Sequence, residues 1–233
     1  MDSQVYQAAV SHASECAPRE SCGLVVAVGK KERYWPCNNL ANGNSFSLDP
    51  YDYAQASDAG EIVAVVHSHV NAAPTPSDAD RRGCEESGLP WVIVGHPTGA
   101  VAHLAPSGWK MPLEGRRYLL GMVDCLTLVQ DYFLETHNIV LPDMTRHAGW
   151  EARKEDLFRK NFANFGFSVV EDAPRKSDLF LMQTRYPFPH HVGIFLGDGF
   201  FLHHCSDRLS CKDRWAGVWK QGTTHILRHK ELV

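Results

Sequence analysis

The sequence predicts two domains in series, an α/β domain over residues 1–108 followed by an α+β domain over residues 109–233. Three observations lead there. Short β-rich runs alternate with amphipathic helical segments up to about residue 104; a Pro106-Ser107-Gly108-Trp109 stretch then interrupts the pattern; and in the second half a helix comes first and a hairpin late. A chain of 233 residues accommodates two domains of ordinary size.

Each element has its own signal. Val5, Ala8, Ala9 and His12 share one side of a helix over 4–14. Cys22 to Val28, Ile62 to His67, Trp91 to Val94 and Ala100 to Leu104 read as strands. Asp49-Pro50 marks a helix start, with Asp49 as cap, running to Ala59. The domain boundary falls at 105–114. Beyond it, Leu128, Val129, Tyr132 and Phe133 place a helix over 125–134, and residues 150–165 predict another. His191 to Leu196 and Phe200 to His204 flank Gly197-Asp198-Gly199, a strong hairpin signal.

Composition excludes several classes. With 44% hydrophobic and 21% charged residues the chain is that of a globular protein. No run approaches the roughly 18 apolar residues of a membrane span, and the N-terminus has no secretory pattern. Residues 1–108 hold 6 Lys/Arg against 12 Asp/Glu and residues 109–233 hold 17 against 15, so neither half is basic enough for nucleic acid to be the main partner. Seven cysteines without paired spacing argue for free thiols.

Two constellations carry chemistry. His67 and His69, two apart on a strand, project to one side, and Asp80 comes next in a segment that starts a helix at Ser77. Two imidazoles and a carboxylate with an open fourth position form a catalytic zinc arrangement. Glu20, just before a strand, is free to act as base. Ser-x-x-Asp is also a helix-capping signature. The second constellation is Asp124-Cys125 at a helix start, where the dipole favours a thiolate. Folding the late hairpin about Asp198 sets His203 opposite Gly193 and makes His191 and His203 diagonal neighbours. His190 and His204 fall on the other face with Val192, Ile194 and Leu202. The glycines beside His191 and His203 suggest room there for a helix end or substrate, so that His191 is the better base and His203 the better orienting group. A thiol beside an imidazole should make Cys125 the most reactive of the seven.

Glu20, His67-x-His69 and Ser77-x-x-Asp80 together resemble the signature of the JAMM (MPN-type) metalloproteases. That resemblance implies Zn2+ held by His67, His69 and Asp80, Glu20 as the proton acceptor for the activated water, and Ser77 steadying an oxyanion. Val70 stands where that family usually has proline. Asp124-Cys125, His191-Val-Gly-Ile-Phe-Leu-Gly and Phe-Leu-His203 resemble the NlpC/P60 cysteine peptidases, implying a papain-like fold, Cys125 as nucleophile, His191 as base, His203 as third polar residue, and peptidoglycan stem peptides as substrate. Tyr118 matches the aromatic residue that precedes the cysteine there. The two domains in this order resemble tail-tip assembly proteins of lambda-like siphophages, which implies other tail-tip proteins as partners, synthesis in a host cytoplasm and action at the host wall. The alternatives are a structural tail subunit with relic sites, or a cytosolic isopeptidase or amidase. The remaining cysteines (16, 22, 37, 84, 205, 211) and histidines (12, 96, 103, 137, 147, 225, 229) are expected to be structural or surface residues.

Overall fold

The computed structural model describes residues 2–41, 43–146, 149–150 and 152–232; His147, expected to be structural, lies outside the described residues. The chain forms two compact units, Met1–Lys110 and Met111–Val233.

The first unit is a five-stranded sheet in the order β2-β1-β3-β4-β5, built from α1 (Ser3–Cys16), β1 (Cys22–Val28), β2 (Lys31–Cys37), α2 (Pro50–Ala59), β3 (Glu61–Val70), α3 (Asp78–Ser87), β4 (Trp91–His96) and β5 (Ala100–Leu104). Asp49 caps α2 by accepting from the Tyr51 N–H. The β3-α3-β4 crossover makes the sheet's parallel pair, with His67 aligned to Ile93, and antiparallel pairing ties β1 to β2 and β3. Strand alternation divides the apolar residues between two cores. Val25, Ala64, Val66, Val92 and Val94 pack with α1; Cys22, Leu24, Val65 and Trp91 pack with Ala56 of α2 and Cys84 of α3. His67 and His69 continue the alternation set by Val65, which carries them to the α3 side at the carboxyl end of β3. Sequence reasoning does not find β2, because Lys-Glu-Arg and Pro36 mask it; it is an edge strand, where charge and proline are tolerated.

The second unit holds a six-stranded sheet, β10-β9-β8-β7-β11-β6, and comprises α4 (Cys125–His137), α5 (Leu157–Asn161), β6 (Phe167–Val170), β7 (Leu179–Met182), β8 (His191–Gly197), β9 (Phe200–His203), β10 (Cys211–Arg214), α6 (Gly217–Gly222) and β11 (Thr223–His229). Among the described residues its strand pairs are all antiparallel. The helix expected over 150–165 is only the five residues of α5. Gly149 and Lys154, both at positive φ, turn the chain before it and Gly166 turns it after, so aromatic spacing there reflects packed turns. Leu126, Leu128, Val129 and Phe133 of α4 pack on Val192, Ile194 and Leu202 of the sheet. The opposite face carries a second aromatic core, Phe180, Phe195 and Phe201, with Trp215 and Trp219 against it. The hairpin register places Gly193 opposite His203 as the alternation requires, with a bulge near Gly197, where Gly197, Asp198 and Gly199 all turn at positive φ.

Candidate active sites

In the first unit the capping chemistry of α3 and the pleat of β3 converge. Ser77 accepts from the Asp80 N–H at 3.1 Å and its own N–H donates to Asp80 Oδ2 at 2.7 Å, so Asp80 is held at the helix start as a capping-box partner. Its two oxygens face the strand: His67 Nε2 lies 3.1 Å from Oδ1 and His69 Nε2 lies 3.3 Å from Oδ2. The two imidazole Nε2 atoms are 3.2 Å apart. Tetrahedral ligation at zinc bond lengths of about 2.0–2.1 Å requires ligand atoms roughly 3.3–3.4 Å apart, so these three donors fit a zinc ion. His69 Nδ1 lies 3.2 Å from the Ala73 carbonyl, the outer contact that orients ligating imidazoles. His67 is stacked on Phe46 at 4.6 Å and edge-on to Trp91 at 5.5 Å, and its Nδ1 is buried with no partner among the described residues.

The electrostatics agree with ligand duty. Burial opposes ionisation of Asp80, but the hydrogen bonds from both imidazoles outweigh it and hold the carboxyl well below the usual range. Burial also lowers His67, which favours the neutral, ligating ring, whereas contact with Asp80 raises His69. Glu20, only 9% exposed, is pushed up to about 7, chiefly by burial, with the His69 charge lowering it and Asp80 raising it. A carboxyl poised there can both take and return a proton near neutrality. Ser77 is exposed and serves as the cap.

In the second unit Asp124 caps α4, accepting from the Leu126 and Thr127 N–H groups, while Thr127 Oγ1 closes the capping box. Arg146 grips the same buried carboxylate, with Nε 2.7 Å from Oδ2 and Nη2 3.2 Å from Oδ1. Cys125 begins the helix in the core, 6% exposed. The surroundings work against the expected thiolate. Burial, then the Asp124 charge, push the Cys125 thiol up to about 12, while the Val192 N–H and Arg146 act weakly the other way. Desolvation thus outweighs the helix terminus. The imidazoles meet each other instead: His191 Nε2 lies 3.0 Å from His203 Nδ1. Among the described residues no ring nitrogen is within hydrogen-bonding reach of the Cys125 sulfur. Nor is the face of the two histidines open, as the glycines suggested. Phe201 stacks on His203 at 4.4 Å and Trp219 meets it edge-on at 4.6 Å.

Four residues at this site are not singled out by sequence. His203 Nε2 lies 3.1 Å from Asp213 Oδ2, and the Cys205 sulfur lies 3.5 Å from His203 Nδ1 and 3.8 Å from His191 Nε2. Arg146 and Arg208 complete the set, Arg208 donating to Asp213 at 3.0 Å and to the Cys211 sulfur at 2.8 Å. Cys205 stands directly after the hairpin histidines, and that adjacency is a signal legible in sequence; Asp213 reaches His203 only through the β9–β10 pairing. Tyr118 packs edge-on against His204 at 5.1 Å.

Residues 2–108 match the family of prokaryotic homologs of the JAB domain, and residues 115–228 match the NlpC/P60 family. The chain is 37% identical over 236 residues to tail tip assembly protein K of Escherichia phage N15, covering 100% of this chain and 97% of that protein. It is 35% identical over 184 residues to tail tip assembly protein K of Escherichia phage lambda, covering 78% of this chain and 89% of that one. A probable endopeptidase of Haemophilus influenzae is 30% identical over 116 residues, 47% of this chain and 62% of its own length.

Proposed function

The chain belongs to the tail tip assembly protein K family, with a JAB-type domain followed by an NlpC/P60 peptidase-like domain, and on that premise we propose that it is a tail-tip component with two peptide-cutting centres. The first is a zinc centre held by His67, His69 and Asp80. The second is a cysteine centre that cuts peptidoglycan stem peptides with Cys125, His191 and His203, opening the host wall from the virion. The domains are proposed to be 1–108 and 109–233.

The convergence of three donor atoms within 3.1–3.3 Å, beside a carboxyl poised near neutrality, carries the proposal. Zinc, when bound, supplies a Lewis acid that acidifies a water and polarises a carbonyl. Glu20 accepts a proton and hands it to the leaving amine. Asp80 balances cationic charge while its backbone anchors α3, and the Ser77 hydroxyl, oriented as a cap, is the donor proposed for a developing oxyanion. In the cysteine centre, Asp213 orients His203, which in turn orients His191. His191 adjoins Val192, whose N–H touches the thiol, and is the base proposed to deprotonate Cys125.

A structural reading of the second centre has one specific observation in its favour, the burial of Cys125, which pushes its thiol up. Metal analysis and digestion of purified peptidoglycan separate the readings. We expect His67→Ala/His69→Ala to lose one equivalent of zinc while still digesting peptidoglycan, and Cys125→Ser to abolish digestion with zinc unchanged. Full zinc in the double variant overturns the metal centre. Undiminished digestion by Cys125→Ser overturns the cysteine centre.

A further inference from the structure

We propose that His191, His203 and Cys205 form a second site for a thiophilic divalent metal ion such as zinc, and that metal bound there switches off the cysteine centre. The inhibitory half rests on the function proposed above; the site itself does not.

The three ligand atoms face one another, from His191 on β8, His203 at the end of β9 and Cys205 two residues beyond it. The nitrogens are 3.0 Å apart, and the Cys205 sulfur is 3.5 Å from one and 3.8 Å from the other. Zinc–nitrogen bonds of about 2.0–2.1 Å and a zinc–sulfur bond of about 2.3 Å, at tetrahedral angles, set nitrogens roughly 3.3–3.4 Å apart and sulfur roughly 3.6 Å from nitrogen. The donors need to move by only a few tenths of an ångström. Two imidazoles and a thiolate suit zinc by ligand softness and leave a fourth position open.

The surroundings of the two histidines favour ligation, while burial pushes the Cys205 thiol up to about 12, a cost that the metal–sulfur bond has to offset. Asp213 on the far nitrogen of His203, at 3.1 Å, fixes the proton on Nε2 and leaves Nδ1 free, the carboxylate–imidazole pairing that supports ligating histidines. His191 and His203 are 7% and 0% exposed; Trp219 packs on both. Burial lowers both rings, which favours the neutral, ligating form. The other donor combination nearby, His203 with Cys211 and Asp213, is served by a cation already, since Arg208 donates to both Asp213 and Cys211. Binding releases the Cys205 thiol proton to solvent, forms the metal–sulfur and metal–nitrogen bonds, and moves the His191 ring proton from Nε2, where it faces His203 Nδ1 in the metal-free chain, to Nδ1. Nδ1, the nitrogen otherwise left to take a proton from Cys125, then already carries one.

The test uses the full chain carrying His67→Ala/His69→Ala, so that the first site is silent. Cobalt(II) titration should give one equivalent bound, with the sulfur-to-metal charge-transfer absorption that an oxygen- and nitrogen-only site lacks. Cys205→Ser should abolish that band and weaken binding by at least about tenfold. Cys125→Ser and Cys211→Ser should retain it, and they control for folding. No band in the double variant, a band surviving Cys205→Ser, or one lost in Cys211→Ser overturns the site. Added zinc should slow peptidoglycan digestion by the double variant at least about tenfold, and far less with Cys205→Ser present; equal inhibition of both overturns the switch. Metal-free protein that digests nothing counts against the cysteine centre, while the cobalt band still decides the site.

Discussion

Glu20→Gln should make the metal-free first domain more stable and its metal centre inactive. The carboxyl stands at about 7 in the folded chain against an ordinary 4.5, so its neutral form is the one folding favours. Below about pH 4.5 the group is protonated in both states and costs nothing. The penalty grows as pH rises from 4.5 to about 7 and is constant beyond. At about 1.36 kcal/mol per pH unit, the displacement sets a ceiling of about 3 kcal/mol. Residual solvation and relaxation around the carboxylate lower the expected gain in the variant to about 1–2 kcal/mol at pH 8, vanishing near pH 4.5. Glutamine has the same shape and no charge, so it removes the penalty without opening a cavity. Hydrogen-exchange protection at β1 and β3 amides reads this domain within the intact chain, and wild type and variant are compared at each pH after chelation. Loss of the general base should meanwhile lower any zinc-dependent peptide hydrolysis by about 10²–10⁴-fold. A variant less stable than wild type at pH 8, or equally active, would refute the reasoning.

Asp80 has the opposite sign: its carboxyl is held below the ordinary 3.8, so its stabilisation is present above that value and is lost as pH falls below it. Acid unfolding of the metal-free first domain should accordingly be shallower in Asp80→Asn. Arg146→Ala strands the buried Asp124 carboxylate at the start of α4, and urea unfolding should show the second domain losing about 3–5 kcal/mol. Arg175→Ala breaks an exposed pair with Asp172 and should cost under about 1 kcal/mol; equal losses would show that burial of the Asp124 pair is immaterial. A thiol reagent at neutral pH should modify half-buried Cys16 ahead of Cys125 in the free chain, and the reverse order would mean that the Cys125 environment opens in solution.

The sequence by itself determined whatever depends on local periodicity. A two-residue repeat puts His67 and His69 on one face of a strand, Ser77-x-x-Asp80 writes its own capping box, and a symmetric hairpin sets Gly193 against His203. The order of the two folds is equally a property of pattern. Tertiary structure decided how far each group is removed from water and which distant side chain meets it. A helix-start cysteine reads as a thiolate until the core of the second unit closes over it and desolvation outweighs the dipole. Spacing along the chain carries no trace of Arg146 on Asp124, Asp213 on His203, or the aromatic wall of Phe201 and Trp219. Those contacts exist only once strands and loops far apart in sequence are packed, and the charge states of both candidate centres are set there, because ionisation answers to the dielectric and the neighbours a group ends with.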